Sequence, residues 1–216
     1  MRDKQKYIYI VISQTLTIPG KFIRKFTGGK YSHASISLDK DLNEMYSFAR
    51  FHYQAPLIGG FTKESLTSLS LGKNEEVYVK IFEIPVTSYQ YKKIKNNIKH
   101  FKENQKVYMY NLFALVFYPM KINFKIRDSY VCTEFVSQTL INVGIKPDEL
   151  STCRYLPDRM VNILAEYELY NGSLQEYTKT VDHHDVENNY LERENFILVV
   201  CKSIKQLGKL IFRKFI

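Results

Sequence analysis

Residues 32–50, SHASISLDKDLNEMYSFAR, place two alternating arms around a polar stretch from Asp39 to Asn43, and the pattern reads as a β-hairpin. A turn centred near Asp41 sets Leu38 opposite Glu44 and Ser35 opposite Ser47. Strand alternation then gathers Ala34, Ile36, Leu38, Tyr46 and Phe48 on one apolar face. The other face holds His33, Ser35, Ser37, Met45, Ser47 and Ala49, small and polar apart from Met45. A histidine on such a face is placed to work in a cleft rather than to fill a core. Ser47 lies diagonal to it, within reach of a polar contact. A slip of one residue would exchange Ser47 for Tyr46.

Upstream, Tyr7 to Ser13 (YIYIVIS) is β-branched and aromatic and reads as a buried strand. Pro19 suits the first turn of a short helix with Phe22, Ile23 and Phe26 on its apolar face, ended by Gly28-Gly29. Downstream, residues 54–74 contain Pro56, Gly59, Gly60 and Gly72 and read as a loop. Val77 to Ile84 is a further strand, and Thr87-x-x-Gln90 is a capping box opening a helix with Tyr91, Ile94, Ile98 and Phe101 at helical spacing. The lysines around that helix read as a solvated face. Tyr108 to Phe117 is an apolar, aromatic stretch expected against the core. Cys132 to Val143 reads as a helix closed by Gly144, and Asn171-Gly172 between alternating arms reads as a second hairpin over Tyr167 to Tyr177.

The chain has 216 residues, 45 % of them hydrophobic and 25 % charged, which excludes a disordered or fibrous protein. Its three cysteines (Cys132, Cys153, Cys201) are too few for a disulfide scaffold or a Cys-rich zinc site. No apolar run approaches the ~18 residues of a spanning helix. The N-terminal stretch lacks a small-residue cleavage site and reads as a strand, so a cytoplasmic protein is expected. His183-His184-Asp185 lies in a polar stretch, 181–195, that reads as a solvated linker rather than a metal site; no cofactor is expected.

The formal net charge is +9, and five of those charges fall within residues 201–216, which contain no acid. Val200, Ile204, Leu207, Ile211 and Phe215 recur at helical steps, so 196–216 reads as a basic amphipathic segment. Two readings stay open for it: an anionic membrane surface, which would make the protein peripheral at the inner membrane face, or docking of the apolar side on the domain itself. No aromatic–basic motif of the recognised nucleic-acid-binding kinds is present, so nucleic acid ranks last among partners.

Two groups carry candidate chemistry. Asp128 or Ser129 can cap a helix whose first turn holds Cys132, and the positive end of a helix dipole favours thiolate. His33 and Cys132 together are the minimal base and nucleophile of acyl transfer. The order YIVISQT, helix, KYSHASISLD, EMYSFAR, YVCTEFVSQTL resembles circularly permuted papain-like proteins of the NlpC superfamily, nearest the YaeF/YiiX-like group, over roughly residues 6–180. That resemblance implies an α+β permuted papain-like domain over 1–180, with Cys132 as nucleophile and His33 as base. It also implies a third polar residue that orients the imidazole, for which Ser47, Tyr46 and Glu44 are the candidates. The expected activity is a cysteine hydrolase or acyltransferase acting on a small amide, peptide or acyl-lipid. The alternative is a non-catalytic, membrane-associated binding module on the same fold.

Overall fold

The computed structural model describes residues 5–55, 57–71, 75–117, 124–151, 156–185, 189–192 and 195–215. The protein is α+β. Among the described residues the strands are β1 (Lys6–Ser13), β2 (His33–Ser37), β3 (Met45–Arg50), β4 (Gly59–Lys63), β5 (Tyr78–Val86), β6 (Met109–Tyr110), β7 (Ser129–Tyr130) and β8 (Glu168–Ser173). One antiparallel sheet takes six of them in the order β4-β3-β2-β1-β5-β8. A short parallel pair, β6 and β7, stands apart from it. The helices are α1 (Ile18–Thr27), α2 (Leu66–Ser70), α3 (Ser88–Glu103), α4 (Leu112–Phe117), α5 (Cys132–Ile141), α6 (Pro147–Leu150), α7 (Pro157–Ile163), α8 (Leu174–Lys179) and α9 (Phe196–Phe215).

The β2–β3 register pairs Ile36 with Tyr46, and Leu38 N–H donates to Glu44 O, as the hairpin pattern predicts. Asp39 fixes the turn by accepting from the N–H groups of Asn43 and Glu44. The apolar face packs under α3, α5 and α7, with Phe48, Phe61, Phe101 and Phe135 at its centre. The second face is not open. Met45, Tyr9, Val11 and Ile81 form a smaller core there with Leu69 of α2 and Leu174 of α8. Apolar side chains on both faces explain why β1 is a continuous hydrophobic run rather than an alternating one.

Several local expectations hold for a visible chemical reason. Thr87 and Gln90 close the capping box of α3, and Gly28 ends α1 at φ 67°. Three expectations fail. Tyr167 to Tyr177 is not a hairpin: β8 runs straight through Asn171-Gly172 because the edge of β5 offers it backbone partners as far as Ser173. Residues 54–74 are not all loop, since they contain β4 and α2. Gly59 and Gly60 are strand residues because a Cβ would meet Ala49 O at 2.4 Å and Tyr108 O at 2.6 Å.

The start of the 181–195 stretch is also docked rather than solvated. Asp185 accepts from Leu66 N–H, Thr67 N–H and the Thr67 hydroxyl at the start of α2. His183 bonds Asp41 O at 2.7 Å, tying the segment to the hairpin turn. Among the described residues, no group of three or more His, Cys, Asp or Glu side chains is arranged to hold a metal ion.

Candidate active site

His33 is the first residue of β2 and lies across from Ser13 at the end of β1, so the sheet holds its backbone. Its Nε2 lies 2.7 Å from Oε1 of Glu64, a residue that no sequence pattern singles out as catalytic. Glu64 follows β4 directly and anchors there through its N–H to Met45 O at 2.8 Å. The residue is 3 % exposed. A carboxylate so buried is costly unless hydrogen-bonded, and here side chains of the site supply the bonds. Ser47 Oγ donates to Oε1 in a short hydrogen bond, and Ser68 Oγ donates to Oε2 at 2.9 Å.

Ser47 therefore has a different place from the one expected. It lies beside the imidazole on the predicted face, but its hydroxyl is spent on Glu64, and Glu64 holds the ring. Tyr46 and Glu44 are elsewhere. Tyr46 points to the opposite face, stacks on Phe61 and donates to Glu44, while Glu44 pairs with Lys63 at 3.0 Å. The sequence signal for Glu64 is slight: Ser65-x-x-Ser68 is a capping pair opening α2, which marks Glu64 as the residue between a strand and a helix.

Cys132 opens α5 and is 4 % exposed. Neither expected cap serves this helix. The N-cap is Val131, whose N–H donates to Glu134 Oε2 at 3.2 Å, while Ser129 Oγ donates to Ile126 O. The chain enters α5 from β7, and this strand fixes Asp128 and Ser129 too far upstream to reach the first turn. Glu134 thus acts locally at the helix start, and burial lifts its carboxyl above its ordinary pKa despite that bond. Cys153 lies outside the described residues, and Cys201 is exposed on the last helix.

The packing of α5 on β2 and β3 brings Cys132 near His33. With Nε2 engaged by Glu64, Nδ1 is the nitrogen left for the sulfur. Burial alone pushes the His33 pKa down. The charge of Glu64 first, with Cys132 nearby, outweighs burial and pushes it up to about 10. Burial likewise raises the Glu64 carboxyl, but His33, Ser47 and Ser68 reverse that and hold it below its ordinary value. The arrangement Cys132–His33–Glu64 is thus a line of buried groups in a low-dielectric setting.

A cleft opens on this line, walled by Thr15, Phe48, Arg50, Phe51, Tyr110 and Tyr190 around His33 and Glu64. Arg50 brings a cation to it, donating to Tyr190 OH at 2.8 Å. Cys132 is not part of the lining. Tyr110 of β6 lines the cleft. Comparison of the chain with protein-family models, with curated proteins and with solved structures finds no match.

Proposed function

We propose that this protein is a cysteine-dependent hydrolase or acyltransferase of permuted papain-like fold, acting on an amide or ester bond. The observation that carries the reading is the buried Glu64 carboxylate on His33 Nε2, with Cys132 near the same ring. A structural histidine needs no anionic partner on one side and a thiol on the other. A nucleophile, a base and an orienting acid need this order.

In this mechanism His33, oriented by Glu64, takes the proton of the Cys132 thiol. The sulfur attacks the acyl carbon, forming the S–C bond. His33 then gives its proton to the leaving nitrogen or oxygen as that bond to carbon breaks, and a thioester remains. Water, or an acceptor hydroxyl or amine, loses its proton to His33 and attacks the thioester to release the acyl group. The N–H of Cys132, at the first position of α5, can donate to the oxyanion.

Iodoacetamide labelling tests the reading, with each thiol followed by peptide mass. Cys132 should label faster than the exposed Cys201 at neutral pH, and His33→Ala should slow Cys132 alone. Labelling of Cys132 no faster than Cys201, or unaffected by His33→Ala, overturns the proposal.

A further inference from the structure

The last helix, α9, does not dock as its sequence suggests. The apolar recurrence Val200, Ile204, Leu207, Ile211, Phe215 would be the inward face of an ordinary packed helix. Instead the buried residues are Val199, Ser203, Gln206 and Leu210. Val199 packs with Ala55, Ile58 and Phe51, Gln206 donates to Gly59 O at 2.9 Å, and Leu210 packs with Met109 and Ile126. Half of this seam is polar, and it leaves the larger apolar face outside. Ile204 is 65 % exposed, Ile211 49 % and Phe215 84 %.

At roughly 100° per residue, α9 divides into three stripes. The docked stripe is flanked on one side by Ile197, Val200, Ile204, Ile211 and Phe215, and on the other by Lys202, Lys205, Lys209 and Arg213. No acidic residue occurs anywhere in the helix. A second protein core would not ask for a stripe of cations along its edge, whereas an anionic lipid surface asks for both stripes together. No helix among the described residues is long and apolar enough to cross a membrane, so the geometry is that of a helix lying in the interface. We propose that α9 docks this protein on anionic bilayers, the isoleucine stripe entering the headgroup–acyl boundary while the lysine stripe meets lipid phosphates.

The seam also places this surface next to the cleft. Phe51 touches Val199 and lines the cleft, and Met109 touches Leu210 one residue before the cleft residue Tyr110. The proposal does not depend on the cysteine chemistry, and it holds equally for an inert Cys132.

The chain has no tryptophan, so Ile204→Trp supplies a single reporter in the middle of the stripe. With vesicles of phosphatidylglycerol and phosphatidylcholine, its emission should shift to the blue and be quenched by acyl-brominated lipid. In sedimentation with the same vesicles, the full chain should bind, and Ile204→Glu/Ile211→Glu should lose at least about tenfold in affinity. Lys205→Glu/Lys209→Glu should lose both affinity and its salt dependence. Unshifted emission from the Ile204→Trp variant, or equal vesicle binding by the parent and the Glu variants, overturns the proposal. So does a concentration-dependent dimer, seen by light scattering without lipid, that the Ile→Glu pair abolishes, because the stripe then belongs to a second copy. Circular dichroism separates these results from unfolding, since both variant pairs lie on exposed positions.

Discussion

Glu64→Gln changes the site by little more than a charge. The amide is nearly isosteric, its oxygen can still accept from His33, and its nitrogen can face Ser68. What is lost is the anion 2.7 Å from Nε2. Exchanging a charged acceptor for a neutral one forfeits about 1–2 kcal/mol of hydrogen bond, or about one pH unit in the titration of the ring. Taking instead the whole Coulomb attraction across about 4 Å at an effective dielectric of about 20 sets the upper value, about 4 kcal/mol or close to three pH units. His33, which holds its proton up to about 10, should therefore titrate lower in the variant by about one to three pH units. NMR titration of labelled histidine measures this directly, with the His33 signal identified among the five by its loss in His33→Ala. Stability should follow with the matching signs. The raised His33 pKa contributes stability that is full below its ordinary value of about 6.5 and lost as pH rises through about 10. The depressed Glu64 pKa contributes stability at neutral pH that is lost as acid reprotonates the carboxyl. Both contributions should be smaller in Glu64→Gln, while Glu64→Asp, which keeps the charge, should recover part of the titration. A His33 midpoint within about 0.5 pH unit of the parent would refute the reasoning, because the carboxylate would then not be what holds the proton.

Two further outcomes test the frame around the site. Phe48 is fully buried, with ring centroids 5.1–5.9 Å from Phe61, Phe101, Tyr130 and Phe135, so Phe48→Ala should cost about 3–5 kcal/mol in urea unfolding. Asp185→Ala removes the carboxylate on the first N–H groups of α2 and should cost about 1 kcal/mol by the same assay. Because Ser68 of that helix orients Glu64, the Asp185 variant should also lower the His33 midpoint slightly, whereas Phe48→Ala, measured where it is folded, should not.

The legible part of the molecule is the part whose chemistry is local. The 32–50 hairpin and its register follow from side-chain alternation and a polar turn. The α3 capping box follows from two residues three apart, and Cys132 at a helix start from the pattern after it. His33 is visible as a polar residue on an apolar hairpin, but its partner is not. Glu64 lies behind two glycines that ordinarily break strands, and only the close approach of Ala49 and Tyr108 reveals why glycine is needed there. The Asn171-Gly172 turn fails for the related reason that an unpaired edge of β5 outweighs local turn propensity.

By itself the sequence determined four strands (β1, β2, β3 and β5), the starts of α1, α3 and α5, and the two residue types able to do acyl chemistry, because these depend on neighbours a few positions apart. Tertiary structure alone decided which carboxylate meets His33, how Ser47 serves it, and which side of α9 is left outside. Each of those depends on groups far apart in the chain, such as His33 and Glu64, 31 positions apart, and on the cost of burying charge without a partner.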